Sequence, residues 1–205
     1  MNVFSMDDLL ELSAASHHHL CPKQVLGVRM GMLAAKILDM PLPQTDRKRL
    51  FVFAETDGCA ISGITASTGC SVNKRTMRLM DFGKVAATFV DTVTDRAIRI
   101  HPLPESRQNA IAIAEAYMRP EPIESRWHAY LYGYQVLDDR LLFSVRSVNL
   151  SVYLKDIIST PTAFAVCDHC GEEINNGREI ITDTLTLCQA CGGNGYYQEA
   201  ESLEW

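Results

Sequence analysis

The chain has 205 residues, 47% of them hydrophobic and 21% charged, with a formal net charge of −6, which allows one good core and a small satellite module. It has no run of about 18 apolar residues that could span a bilayer, and Asp7 and Asp8 stand where a signal peptide would carry Lys or Arg. Seven cysteines, an odd number arranged as metal-type pairs and His-flanked singles, argue for reduced thiols over a secreted disulfide framework, so a soluble cytoplasmic protein without membrane contact is expected.

Ser5 followed by Asp7 and Asp8 predicts a helix start, and Leu9, Leu10, Leu12 and Ala15 continue an apolar face to about Ser16. Pro22 suits the first turn of a second helix with Cys21 at its N-cap; Val25, Val28, Met32, Ala35 and Leu38 point inward, and Pro41 and Pro43 stop it. Leu50 to Ala54 reads as a strand buried on both faces that delivers Glu55, Asp57 and Cys59. A brief helix over residues 61–68, closed by Gly69, precedes strands at 77–80, 85–90 and 98–101. Residues 105–118 read as a helix with a stop at Pro120, 123–136 as helix or mixed, and 141–150 as an alternating strand. The order is mixed α+β.

Residues 160–165, with Pro161, read as a linker, giving a core domain over 1–160 and a C-terminal module over 161–205. In that module Cys167/Cys170 and Cys188/Cys191 form two Cys-x-x-Cys pairs 17 residues apart. Four thiolates at this spacing converge on one tetrahedral zinc ion, and a site closed by four protein ligands is structural. His169, Asp168 or Asp183 could compete as ligands, but four sulfurs are the simplest choice. The intervening chain predicts a knuckle ending in Gly171, a hairpin turned at Asn176-Gly177 and a strand over 179–187. From residue 165 onward the only basic side chain is Arg178, so this finger repels phosphate and no nucleic-acid partner is expected.

A second constellation lies in the first half. In an extended segment His17, His19 and Cys21 project to one side while His18 faces away; if the Cys59 loop folds back, its sulfur completes a site suited to zinc or another divalent metal. Cys21 at a helix N-terminus should carry a lowered thiol pKa, and Glu55 or Asp57 could act as general base or orient a ligand. Two other readings stand beside this one. Cys21 and Cys59 could be small core residues beside surface histidines, or Cys21, Cys59 and Cys70 could exchange disulfides. Cys70 with Lys74 and Arg75 could help hold an anion, while His101 and His128 read as lone packed or surface residues. Tyr130, Tyr132 and Tyr134 alternate into an aromatic face suited to a core or a dimer surface.

The series His17-His18-His19-Leu20-Cys21-Pro22 with Gly27-Val28-Arg29, Glu55-Thr56-Asp57-Gly58-Cys59-Ala60, Thr68-Gly69-Cys70 and Asp81-Phe82-Gly83-Lys84-Val85-Ala86 resembles the FmdE family, named for a component of molybdenum formylmethanofuran dehydrogenase, over about 70 residues. The family's first motif looks like His-Gly-His-x-Cys-Pro-Gly, so His18 and Lys23 stand where glycines are usual. The resemblance implies a thioredoxin-like α+β core, a mixed sheet flanked by helices, with the His/Cys motif and the Cys59 loop forming its site, and an appended treble-clef zinc finger. It also implies an accessory of formylmethanofuran dehydrogenase or another molybdenum or tungsten enzyme; self-association as a homodimer through the core is expected beside it. An independent zinc metalloenzyme using Asp57 or Glu55 as base, and a non-catalytic interaction scaffold, remain the alternatives.

Overall fold

The computed structural model describes residues 4–15, 17, 19–45, 48–117, 125–158, 160, 162–198 and 200. The expectations that touch Ser16, His18, Pro120 and Pro161 lie outside these residues. Two compact units emerge, Met1–Ser151 and Val152–Trp205.

In the first unit Ser5 caps α1 (Met6–Ala14): its hydroxyl accepts from the Asp8 amide, and the Asp8 carboxylate accepts from the Ser5 amide. Leu9, Leu10 and Ser13 are buried, and Leu12, expected on the apolar face, is exposed, because at 100° per residue it lies away from that triplet. Helix α2 (Pro22–Leu38) begins after Cys21 as the proline requires and ends on left-handed Asp39. It buries Val25, Leu26, Val28, Met30, Leu33, Ala34 and Leu38, whereas Met32, expected inside, is exposed. Its neighbours α1, α3 (Ala60–Thr68) and α5 (Arg126–Val136) share its surface with the sheet, so its apolar positions are not confined to one stripe.

The sheet is mixed. Strands β1 (Leu50–Ala54), β2 (Met77–Leu79), β3 (Ala87–Asp91), β4 (Ala97–Pro102) and β5 (Phe143–Ser147) lie in the order β2-β1-β3-β4-β5. β1 and β2 are parallel, with α3 as their crossover, and the other pairs are antiparallel. Every residue of β1 is buried: Leu50, Val52 and Ala54 join the main core, while Phe51 and Phe53 pack against each other at 5.1 Å between centroids on the opposite face. Helix α4 (Ser106–Tyr117) meets α5 where Gly133 faces Ala110; a Cβ on Gly133 would lie 2.5 Å from the Ala110 backbone. The expected strand over 141–150 is corrected at its start. The Asp138 carboxylate accepts from the Arg140 amide and nucleates α6 (Asp139–Leu142), so Leu141 and Leu142 are helical and β5 begins at Phe143.

The end of β3 is fixed by a buried carboxylate. Asp91, 1% exposed, accepts from Arg49 Nε at 2.8 Å and Nη2 at 2.5 Å, from the Val93 amide at 3.0 Å and from Thr94 Oγ1 at 2.8 Å. The Arg49 guanidinium, more than the other donors, holds this carboxyl well below its ordinary value of 3.8. A depressed folded-state pKa gives stability that is present above the ordinary value and lost as pH falls below it. Asp91→Asn is expected to cost about 1–3 kcal/mol at neutral pH and to flatten the acid limb of the urea midpoint plotted against pH. An acid limb identical to that of the wild type would refute this role.

The second unit opens on a short helix, α7 (Leu154–Ile157), which no sequence pattern had suggested. Arg178 donates to the Asp156 and Ile157 carbonyls at its end, both at 2.8 Å. Strands β6 (Phe164–Val166) and β7 (Glu173–Asn175) pair across the first Cys knuckle, so residues expected in the linker belong to a strand. β8 (Ile180–Ile181) and β9 (Thr186–Leu187) form a second hairpin where one continuous strand was expected. Asn176 and Gly177 both have positive φ, as a tight turn requires, but they connect two hairpins and do not close one. No helix among the described residues is long and apolar enough to cross a membrane.

Candidate metal centres and the adjoining pocket

Cys21 and Cys59 are brought together by an unusually close helix pair. A Cβ on Gly27 would lie 2.1 Å from the Ala60 carbonyl oxygen, one on Gly63 would lie 2.2 Å from that of Gln24, and one on Gly31 would lie 2.0 Å from Ser67 Oγ. Only glycine permits this contact. The pairings advance together along both chains, so α2 and α3 run parallel and their N-termini lie at one end. Cys21 caps α2 and Cys59 caps α3. Gln24, fully buried, fixes the first cap: its Oε1 accepts from the Cys21 amide at 2.7 Å and its Nε2 donates to the Ser13 carbonyl at 3.0 Å.

The two residues line the same cavity, and Cys59 is near enough to act on the Cys21 thiol. The expected lowering of the Cys21 pKa is corrected: burial, above all, pushes this thiol up, Cys59 adds to the rise, and the Gln24 amide opposes it without prevailing. Two soft donors are therefore gathered in one place. His17 and His19 stand on the segment leading into Cys21, both exposed, and His17 Nε2 lies 2.9 Å from Ser62 Oγ on α3. Among the described residues, the one group of three or more His, Cys, Asp or Glu ligand atoms that all lie within 4.8 Å of one another is in the second unit.

Glu55, at the end of β1, accepts from Arg99 Nε and Nη2 on β4, both at 2.6 Å, and this guanidinium holds its carboxyl below the usual range. So paired, Glu55 is suited to positioning and poorly suited to taking a proton. Its backbone also straps down the Asp81–Ala86 segment, accepting from the Lys84 amide and donating to the Ala86 carbonyl, each at 2.9 Å. Asp57 is exposed on the loop between Glu55 and Cys59.

Cys70 is separated from this site by the length of α3, about 14 Å at the helical rise. It is buried, its thiol is raised by that burial, and its sulfur accepts from Gln44 Nε2 at 3.1 Å. A disulfide exchange with Cys59 is out of reach in this fold. Lys74 Nζ donates to the Gly69 carbonyl at 3.3 Å; His101 Nδ1 contacts the Pro102 carbonyl oxygen at 2.8 Å, and His128 Nδ1 contacts Ser125 Oγ at 3.0 Å.

Cys21 and Cys59 open onto a cavity of about 600 Å³. Trp127, Tyr130 and Tyr134 of α5 line it, with the two tyrosine rings stacked at 5.9 Å; Tyr134 is buried in the core, as expected, Tyr130 packs against that core, and both also wall the pocket. Lys23 and Arg107 also line it. The sequence marked Lys23 only as a departure from the family's first motif and Arg107 not at all, because each is an ordinary surface residue until the starts of α2 and α4 converge.

In the second unit the sulfurs of Cys167, Cys170, Cys188 and Cys191 form the cluster just described, with Cys170 Sγ and Cys188 Sγ 3.9 Å apart. A tetrahedral ion with sulfur ligands at about 2.3 Å needs edges of about 3.8 Å. The Cys188 amide donates to Cys167 Sγ at 3.3 Å and the Cys191 amide to Cys188 Sγ at 3.4 Å. Amide donation, led by the Cys170 N–H and then that of Cys188, lowers the Cys167 thiol to about 6. This donor set fits a metal ion such as zinc. Asp168 is a brace, its carboxylate accepting from the Thr186 amide at 2.7 Å, and His169 Nδ1 lies 3.5 Å from Cys191 Sγ without joining the cluster.

A family model described as "FmdE, Molybdenum formylmethanofuran dehydrogenase operon" matches residues 16–144. A probable S-adenosyl-L-methionine-binding protein of Archaeoglobus fulgidus is 28% identical over 87 residues, 42% of this chain and 24% of that protein, so the chain spans about a quarter of that relative's length. Among solved structures, a tungsten formylmethanofuran dehydrogenase FmdE-like protein from Syntrophus aciditrophicus shares the fold, with a TM-score of 0.60 over 95% of this chain and 96% of that one, at 16% identity.

Proposed function

The chain belongs to the FmdE family, and from that premise we propose that it is a zinc-binding accessory protein of formylmethanofuran dehydrogenase or a related molybdenum or tungsten enzyme. In this reading it works in the cytoplasm, self-associates, and carries a second metal site in its core. The observation that carries the core site is the placing of Cys21 and Cys59 at the N-cap positions of two parallel helices, on the wall of one cavity. His17 and His19 complete the proposed donor set. His17 Nε2 on Ser62 is the kind of outer hydrogen bond that orients a ligand imidazole and leaves Nδ1 for a metal. Zinc held by two sulfurs and two nitrogens is a familiar donor combination.

The finer structural readings rest on topology. A parallel β1–α3–β2 unit continued by antiparallel β3 and β4 supports the thioredoxin-like core. A knuckle at the first Cys pair, a hairpin β8–β9 and a helical turn carrying Cys191 support the treble clef. The acidic finger, with Arg178 as its only basic side chain from residue 165 onward, is the proposed docking element.

A cavity at the core site favours a second reading, an independent zinc metalloenzyme. Bound zinc would supply Lewis acidity there; Asp57 would serve as the base, and Glu55, held by Arg99, would position the loop that carries it. Metal content per chain separates these sites: two zinc ions in the wild type should fall to one in Cys21→Ser/Cys59→Ser. One ion in both proteins would sink the core site. Co-elution with purified formylmethanofuran dehydrogenase is expected of an accessory protein, and separate elution would leave the metalloenzyme reading.

A further inference from the structure

We propose that the cavity beside Cys21 and Cys59 binds a small organic anion with a flat unsaturated body, the anionic end at Lys23 and Arg107 and the body against Tyr130, Tyr134 and Trp127. The chain carries a net charge of −6, yet among the described residues this cavity is lined by two cations and no carboxylate. Among the described residues Lys23 and Arg107 form no ion pair. Both sit in the first turns of helices, Lys23 on α2 and Arg107 on α4, where the helix dipole adds positive potential of the same sign. Burial favours the neutral form of the Tyr134 hydroxyl, which can donate.

The remaining wall is apolar and aromatic. Tyr130 and Tyr134 lie nearly parallel, at 10° and 5.9 Å, with Tyr134 buried behind the stack, so the wall they form with Trp127 is rigid and aromatic. A volume of about 600 Å³ holds a ligand of one or two fused rings with a carboxylate. A guanidinium matches a carboxylate in a fork, and an ammonium adds a point charge beside it. The ligand would lie alongside the two thiols, which deepens the metal-site reading without requiring the metal, since none of the five recognition residues is a proposed ligand.

The test is calorimetric titration with 2-naphthoate and its neutral isostere 2-naphthamide, on the full chain. Naphthoate should bind at least about tenfold more tightly than the amide. Lys23→Ala/Arg107→Ala should erase that preference, leaving amide binding unchanged, and Tyr130→Ala should weaken both compounds. Equal affinity for acid and amide, a preference that survives the double substitution, or no naphthoate binding at millimolar concentration would overturn the proposal. Metal content is measured on the same samples. One ion per chain with naphthoate selectivity intact would remove the core metal and keep the anion site, while two ions without selectivity would do the reverse.

Discussion

Cys188→Ser is expected to release the metal from the C-terminal cluster and to unfold the hairpins of that unit, while Met1–Ser151 keeps its own cooperative transition. Cys167 and Ile174 are the only buried hydrophobic residues among the described positions after 151, so apolar burial there is small. Its two sheets have two strands each, and isolated two-stranded hairpins are marginal in water. Metal ligation must then supply the folding free energy, with apparent values of about 10–16 kcal/mol for structural zinc in comparable small folds. The first unit has a separate core spanning both helices and sheet. Limited proteolysis and amide chemical-shift dispersion, with metal content on the same sample, make the measurement. A finger that stays dispersed and protease-resistant after complete chelation would show that its fold does not depend on the ion.

Gly63→Ala should be among the most damaging single methyls in the first unit. The added carbon would lie 2.2 Å from the Gln24 carbonyl oxygen and 2.6 Å from the Val28 amide nitrogen, both backbone atoms that cannot rotate away. α2 and α3 would have to separate, and overpacking of this kind costs about 3 kcal/mol. Gly83→Ala is the control. There the φ of +66° strains an alanine, but its Cβ would meet nothing within 4 Å, so a loss of only about 1 kcal/mol is expected. Urea midpoints compare the two. Equal losses would mean that the close helix contact contributes nothing beyond ordinary glycine conformational freedom. Because the two helices share their N-terminal end, the separation should also loosen the Cys21–Cys59 pair.

Elements whose signals are local were legible. Pro22 and Cys21 set the start of α2, the apolar run of β1 gave that strand over its full length, and Gly69 closed α3 in the left-handed conformation. Errors arose where short-range preferences compete. Leu141 and Leu142 fit a strand by pattern, but the Asp138 carboxylate captures the Arg140 amide first. Asn176-Gly177 is a turn by chemistry, and the cysteine cluster decides which strands it joins. Leu12 and Met32 are exposed because the buried arcs of their helices are set by the neighbouring elements.

By itself the sequence determined the family, through four motifs in series, and the C-terminal four-cysteine cluster, because two Cys-x-x-Cys turns carry their geometry in a few covalent bonds. Tertiary structure alone decided the rest of the site. It turned Glu55 from a candidate base into Arg99's partner, raised the Cys21 thiol that a helix terminus would lower, and gathered Lys23, Arg107 and the tyrosines of α5 around one cavity. Those groups are up to about 110 residues apart in the chain. Burial and charge act through space, and the distances that govern them exist only after glycine-to-backbone contacts have set two helices side by side.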